Sequence, residues 1–491
     1  MMLRLALRSL AIRPIKTIVL AFGFGLGVAV MAILLGIGEV ILEQAHSPAL
    51  QGGGDVAVAG AFGSLDNARF VLSSVLGTGD MKRRVAAMSP SKRSNLYLIA
   101  PDKVWAVSAR GGVPSMEAAV GDAETAGRAD WVDAPSDEAW TAADPGDVLR
   151  EMDRFHRQPP VAEFASSWAE WLYFNGRSAL GDPGNNIQFY LTFLVGPSTR
   201  PGKRSAVVRL QLERDGRSSN YSSTGEVDEE TVLAGAPDLD VGDNHVRLAG
   251  LRYRIALGLT AEGNRASRLT GNLTLDAIGG RSLPPTVMHG ARGWLSGYVV
   301  PVLSGTIRGA LDVDGHKLSL DNLSGYHDHN WGFWQGVRWQ WGQVAHDDLS
   351  LVYGRVFPPS SVADPERIPG FLGILGPDGP IGVSTDVSIV ERDAGGRPRE
   401  VEITARSPGV PGTSDIPRGS GIPEMSGIPG INIRLVLSVD RAVHTDFTLT
   451  TTADTPRDFL QLAGVYRVTG QTGDRRIDFT ARGAAETFRE R

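Results

Sequence analysis

The sequence contains no cysteine. Disulfides, thiolate metal ligands and a thiol nucleophile are therefore excluded. An oxidising compartment is not, because a large core needs no covalent staple. A concentrated basic stripe is also missing: 49 Lys and Arg stand against 55 Asp and Glu, a net charge of −6 without long runs of one sign. Nucleic acid is thus not an expected partner. No phosphate loop, dinucleotide fingerprint or serine-hydrolase signature has the strand–turn–helix context it needs. Long apolar runs are absent too, with one exception near the N-terminus.

That exception is Thr17–Gly38, TIVLAFGFGLGVAVMAILLGIG, 22 residues without a charge. At a rise of about 1.5 Å per residue, a helix of this length spans the ~30 Å hydrocarbon layer. Arg4, Arg8, Arg13 and Lys16 precede it, while Glu39 and Glu43 follow. Basic flanks stay cytoplasmic, so the expectation is a single-pass anchor over 1–44 with the body on the extracytoplasmic, periplasmic side. The run is too long for a signal-peptide core, and no small-x-small site ends it.

The remainder divides by texture. Residues 45–160 form a mixed, membrane-proximal region without a clear period. From 161 onward, short alternating or apolar runs such as Ile187–Val195, Ala206–Leu212, Leu269–Leu275, Leu349–Val356 and Ile431–Val439 recur between turn residues. With 60 Gly and 29 Pro in the chain, this is the pattern of a β-sandwich or barrel rather than of long helices. Trp168-x-x-Trp171-Leu-Tyr-Phe followed by IQFYLTFLV echoes Trp339-Gln-Trp341 followed by LSLVYGRV. The echo suggests two related β halves, 161–324 and 325–491. The Gly- and Pro-rich stretch 407–430 can be neither ladder nor helix, and is expected as a loop.

One segment concentrates unusual residues: Gly325-Tyr-His-Asp-His-Asn-Trp-Gly-Phe-Trp334, with two of nine His and two of ten Trp. In an extended strand, His327, His329 and Trp331 share one face, and Tyr326, Asp328 and Asn330 the other. Three readings fit. The polar groups can be structural, satisfying buried backbone at a junction. They can protonate an unsaturated lipid, with His327, His329 or Asp328 as acid in an apolar cavity. Trp331, Trp334, Trp339 and Trp341 would then stabilise the cation. Or His-x-His can hold a metal with His346 or Asp347 as further ligand, although a bare His-x-His is not a ligand set. No metal and no cofactor is therefore expected.

Two resemblances extend this reading. Residues 298–334, ending in GYHDHNWGFW, are similar to the AttH/carotenoid 1,2-hydratase (hydroxyneurosporene synthase) superfamily. Trp171-Leu-Tyr-Phe-Asn-Gly176 and Trp339-Gln-Trp341 through Arg355 resemble other parts of it, so that about 165–490 is covered. The resemblance implies two consecutive lipocalin-like antiparallel barrels and, in one branch, addition of water to carotenoid double bonds. It implies His329 and Trp331 as motif positions of that branch. The acid found there two residues after a Tyr is absent, since Tyr353 is followed by Gly354 and Arg355. Asp328, Asp347 or Asp348 would have to replace it. The first sixty residues resemble the opening membrane helix of MacB/FtsX-type ABC permeases, which implies company with, or descent from, such an exporter. The expected protein is a membrane-anchored, lipocalin-like binder of a hydrophobic polyene or lipid-like molecule, in company with ABC transporter components. His329, Asp328, His327 and Tyr353 are its candidate catalytic residues. Tyr326, Trp331, Trp334, Trp339 and Trp341 are its candidate ligand contacts. The alternative is a carotenoid 1,2-hydratase-like lyase.

Overall fold

The computed structural model describes Gly54 and residues 68–77, 85–100, 103–122, 125, 130–142, 144–181, 186–214, 216–377, 379–408, 430–444 and 457–490. The expected anchor, its permease-like sequence and nearly all of the loop 407–430 lie outside these residues. Among the described residues no helix is long and apolar enough to cross a membrane.

Two compact units divide the chain. The smaller contains an antiparallel hairpin of β1 (Ser91–Ala100) and β2 (Lys103–Gly112), followed by a short helix at Pro114–Ala119. The larger holds Asp66–Arg84 and everything from Ala143 onward.

In the larger unit, eight strands close into a ring. They are β3 (Trp168–Arg177), β4 (Ile187–Arg200), β5 (Lys203–Arg214), β6 (Arg217–Asp228), β9 (Arg252–Ala261), β10 (Asn264–Ala277), β12 (Leu295–Val313) and β14 (Leu323–Phe333). Each pairs antiparallel with the next, and β14 returns to β3. Short strands β7 (Leu239–Val241) and β8 (Asn244–Ala249) extend the ring beside β9. Strands β11 (Leu283–His289) and β13 (His316–Ser319) lie on β12. Alternation explains the closure: one set of residues on each strand, such as Phe189, Leu191, Phe193 and Val195, fills the interior. The 19-residue β12 bends at register shifts on both sides of Val302, where Pro301 lacks a ladder donor.

The first ring therefore runs to Phe333, one strand beyond the boundary expected at 324. The HDHN segment is its closing strand.

Among the described residues nine strands follow, in the order β18-β17-β16-β15-β23-β22-β21-β20-β19. They are β15 (Arg338–His346), β16 (Leu349–Phe357), β17 (Phe371–Gly376), β18 (Gly379–Ser384), β19 (Asp386–Ala394), β20 (Arg397–Ser407), β21 (Ile431–His444), β22 (Arg457–Thr472) and β23 (Arg475–Glu490). A second closed barrel was expected here. The sheet instead curls without closing: edge strand β18 comes back against β20 and β21, and the Thr472 hydroxyl donates to the Ile381 carbonyl, but β18 and β19 do not pair. The two echoing segments are the antiparallel pairs β3–β4 and β15–β16.

Gly332 is a demanding position in β14. Its φ is +143°, and a Cβ there would sit 2.6 Å from the Leu295 carbonyl oxygen. Gly332→Ala must shift β14 against β12, and overpacking of this kind costs about 2 kcal/mol. The expected result is a lower urea midpoint with an unchanged slope. A variant as stable as the parent would show that the strand yields freely.

Candidate functional site

Strand β14 carries two different sites on its two faces. His327 and His329 point into the barrel, while Tyr326, Asp328 and Asn330 point to the seam between the barrel and the curled sheet.

The inner site depends on a segment that enters the ring ahead of β3. Helix Pro145–Met152 is capped by Asp144, whose carboxylate accepts from the Gly146 and Asp147 amides. Leu149 and Phe155 join the barrel core. Between them Asp153 is fully buried and accepts three hydrogen bonds. Tyr253 donates to Oδ2 at 2.7 Å, His327 Nε2 to Oδ2 at 2.9 Å and His329 Nδ1 to Oδ1 at 2.9 Å. The other nitrogen of His327 donates to the Tyr173 carbonyl (2.9 Å), and that of His329 to Glu170 Oε1 (3.0 Å). Glu170, also fully buried, accepts from His156 through Nδ1 (2.7 Å) and the backbone amide, with Arg204 at 3.9 Å. His156 stacks on Trp331 with centroids 4.0 Å apart.

Electrostatics follow from this chain of contacts. Burial opposes charge on Asp153, yet His327 and His329 hold it well below the usual carboxylate range. Burial likewise opposes ionisation of Glu170, but His156 and His329 bring it to about 2. His329 is disfavoured as a cation by burial, and its two carboxylate partners outweigh this, raising it to about 9. It is an imidazolium clamped between two anions. The ligand atoms of His156, Glu170 and His329 lie within 4.8 Å of one another. A metal ion could enter this trio only by displacing its hydrogen bonds, beside the Arg204 guanidinium. The further ligands considered from sequence are elsewhere: His346 stacks on Phe479 at the end of β15, with Asp347 beside it.

The seam site is built from register. Trp171 stands opposite Asn330 across β3–β14, Tyr298 opposite Asn330 across β12–β14, and Trp341 opposite Glu486 across β15–β23. A cavity of about 20 Å³ lies between these strands. It is lined by Trp171, Trp334, Trp339 and Trp341, by Tyr298, Ser296, Asn330 and Val356, and by the carboxyls of Asp328 and Glu486. That is room for a water or two. Trp341 Nε1 donates to the Tyr326 hydroxyl (2.9 Å), which donates to Asp328 Oδ2 (2.8 Å), and Asn330 Nδ2 donates to Oδ1 (2.7 Å). Trp339 Nε1 donates to Glu486 Oε1 at 3.0 Å. Burial raises Asp328 to about 6 despite these donors. Burial, then the Asp328 charge, raises Glu486 to about 8.

Of the residues singled out in the sequence, Asp328, Trp334, Trp339 and Trp341 meet at this cavity, and Tyr326 braces it. His327 and His329 lie behind the strand. Trp331 packs on His156 at the inner site. Tyr353 is in the core of the curled sheet, hydrogen-bonded to Tyr466 (3.0 Å). Glu486, Tyr298 and Trp171 of the seam, and Asp153, Glu170 and His156 of the barrel, were not among the candidates.

Strand order defines the class: an eight-stranded up-and-down antiparallel barrel of lipocalin-like type, followed by a curled antiparallel sheet. No protein-family model matches the sequence, and no curated protein does. Among solved structures, the chain is similar to a protein from Nitrosomonas europaea described as an AttH, at 14% identity and a TM-score of 0.40, covering 68% of this chain and 97% of that one. It is also similar to CghA, at 13% identity and a TM-score of 0.38 over 68% of this chain and 92% of CghA. A crystal structure of CghA with Sch210972 gives 12%, 0.38, 70% and 94% respectively. Likeness at this level says nothing of ligand or reaction.

Proposed function

We propose that this protein binds a hydrophobic, polyene or lipid-like molecule at the seam between barrel and curled sheet, tethered to a membrane by Thr17–Gly38. One observation carries the reading: four indoles from both sides of the seam converge on one small cavity. Aromatic walls supply large apolar contact at low entropic cost. In the closed form the cavity admits only a small group, so a longer ligand enters by parting the walls contributed by β14 and β15. The charge-free run and its basic preface support the tether. The permease-like opening makes ABC transporter components the partners to look for.

A second reading is favoured by Asp328 and Glu486. A neutral carboxyl facing aromatic walls is a competent acid toward a carbon–carbon double bond. This reading makes the protein a hydro-lyase, with the acid supplied by β14 or β23 rather than after Tyr353.

The test is mass spectrometry of organic extracts from the purified full chain and from Trp339→Ala and Trp341→Ala. An apolar ligand that accompanies the parent and drops several-fold in both variants is the expected outcome. Empty parent protein, together with no tryptophan quenching by a polyene such as retinol, would sink the binding reading.

A further inference from the structure

We infer that the seam cavity selects a ligand whose buried end is an alkylated ammonium group. This rests on the reading that the seam opens to an apolar molecule, and it names the chemistry of the part that is seated deepest.

The lining itself carries the inference. Two carboxyls, Asp328 and Glu486, share the cavity with four indoles and the Tyr298 ring, and among the described residues no Lys, Arg or His lines it. Asp328 is 4% exposed. Placing two acids in one apolar cavity without a basic partner is costly. With a hydrocarbon ligand that cost is met by protonation, since burial holds the Glu486 proton up to about 8, whereas a cation lets both acids ionise.

Indole orientation points the same way. Trp334 Nε1 is spent on the Ala169 carbonyl, Trp341 Nε1 on Tyr326 and Trp339 Nε1 on Glu486. With these N–H groups engaged, the three rings have only π-faces and edges left to offer a ligand. Trp171 and Trp334 are tilted at 4.5 Å, Trp334 and Trp339 are edge-on at 5.7 Å, and Tyr298 and Trp341 are edge-on at 5.1 Å. Rings set at such angles form the walls of a box rather than a stack. Aromatic boxes with a nearby acid attract organic cations through the ring quadrupole.

The degree of alkylation follows from the acceptors. A primary ammonium must place three N–H donors. Both Asp328 oxygens already accept from Tyr326 and Asn330, and Glu486 Oε1 from Trp339, which leaves Glu486 Oε2 and the second lone pairs of the others for three donors. A trimethylammonium head needs no acceptor and gains dispersion contact with every ring.

The test compares decyltrimethylammonium with decanol, both well below micellar concentration, by calorimetry and tryptophan quenching on the full chain. The cation should bind roughly tenfold or more tightly than the neutral chain of equal length. Asp328→Asn with Glu486→Gln should remove that preference, bringing the two probes within about twofold of each other. Where the double variant does not fold, Glu486→Gln alone decides. Equal affinity of the two probes in the parent overturns the inference and leaves apolar binding intact. A preference that survives in the variants also overturns it, since the cation then sits elsewhere. Failure of both probes to bind removes the apolar reading as well.

Discussion

Asp153→Asn is expected to cost about 3–5 kcal/mol, the usual penalty for removing one partner of a buried charged pair. The carboxylate accepts from Tyr253, His327 and His329 at one fully buried point, so an amide must present an NH₂ to at least one donor. It also leaves the His329 imidazolium with one anion instead of two. In a unit of this size the midpoint of thermal unfolding should fall by roughly 5 °C. The wild-type pH profile carries the same signature. Glu170 is lowered to about 2 from an unfolded value near 4.3, so its contribution is present above about pH 4.3 and is lost as pH falls toward 2. His329 is raised to about 9 from about 6.5, so its contribution is full below pH 6.5 and is lost as pH rises through 9. The imidazolium and its carboxylates stabilise one another, and the loss on the alkaline side is on the order of 3 kcal/mol, counted once. Asp328 and Glu486, raised to about 6 and about 8, also lose stability as pH rises, so unfolding followed by circular dichroism from pH 3 to 10 should show a maximum near pH 4 to 5 with a fall on both sides. A flat profile from 6.5 to 9, or an Asn variant within 1 kcal/mol of wild type, would mean that the charges are not clamped as described.

These contacts show why part of the site was legible in the sequence and part was not. The alternation of 326–331 was readable because a strand has a period of two, and the two faces of β14 are those the pattern gives. Glu170 left a trace: it shares a face with Trp168, Leu172 and Phe174, and an acid among such residues marks a buried charge. Glu486 left a similar one, between Ala484 and Phe488 on one face of β23. Asp153 left none. It lies after a short helix in a segment without a period, and its partners His327 and His329 are 174 and 176 residues away. The barrel was visible as recurring short runs, whereas closure depends on which edges meet. For the first ring, β14 meets β3; for the second sheet, β18 and β19 stop short. No local pattern encodes that difference. Tyr353 was chosen by resemblance, and the strand it occupies turns that side chain toward Tyr466 and the core.

Glu486→Gln is expected to abolish any hydration of a bound polyene by at least a hundredfold while the ligand is retained. General acid transfer contributes about 10²–10⁴ to rate, and an amide of the same shape keeps the contact with Trp339 but has no acidic proton. The balanced step is simple. The carboxyl proton moves to one alkene carbon, water adds to the resulting cation between the indoles, and the proton that water releases returns to the carboxylate. Glu486 has the better standing as donor, because burial and the Asp328 charge hold its proton up to about 8, while Asp328 itself is raised only to about 6. Turnover should therefore persist through neutral pH and fall as pH rises through 8. Asp328→Asn removes the neighbouring charge, so the alkaline limb should move to lower pH. His329→Gln separates this scheme from one in which the histidine is the acid. His329 is sealed behind β14 with both nitrogens on carboxylates, so its loss should lower the melting temperature and leave turnover of the folded fraction within about threefold. Product formation that survives Glu486→Gln but vanishes in a folded His329→Gln would place the acid inside the barrel and refute the seam as the reacting site.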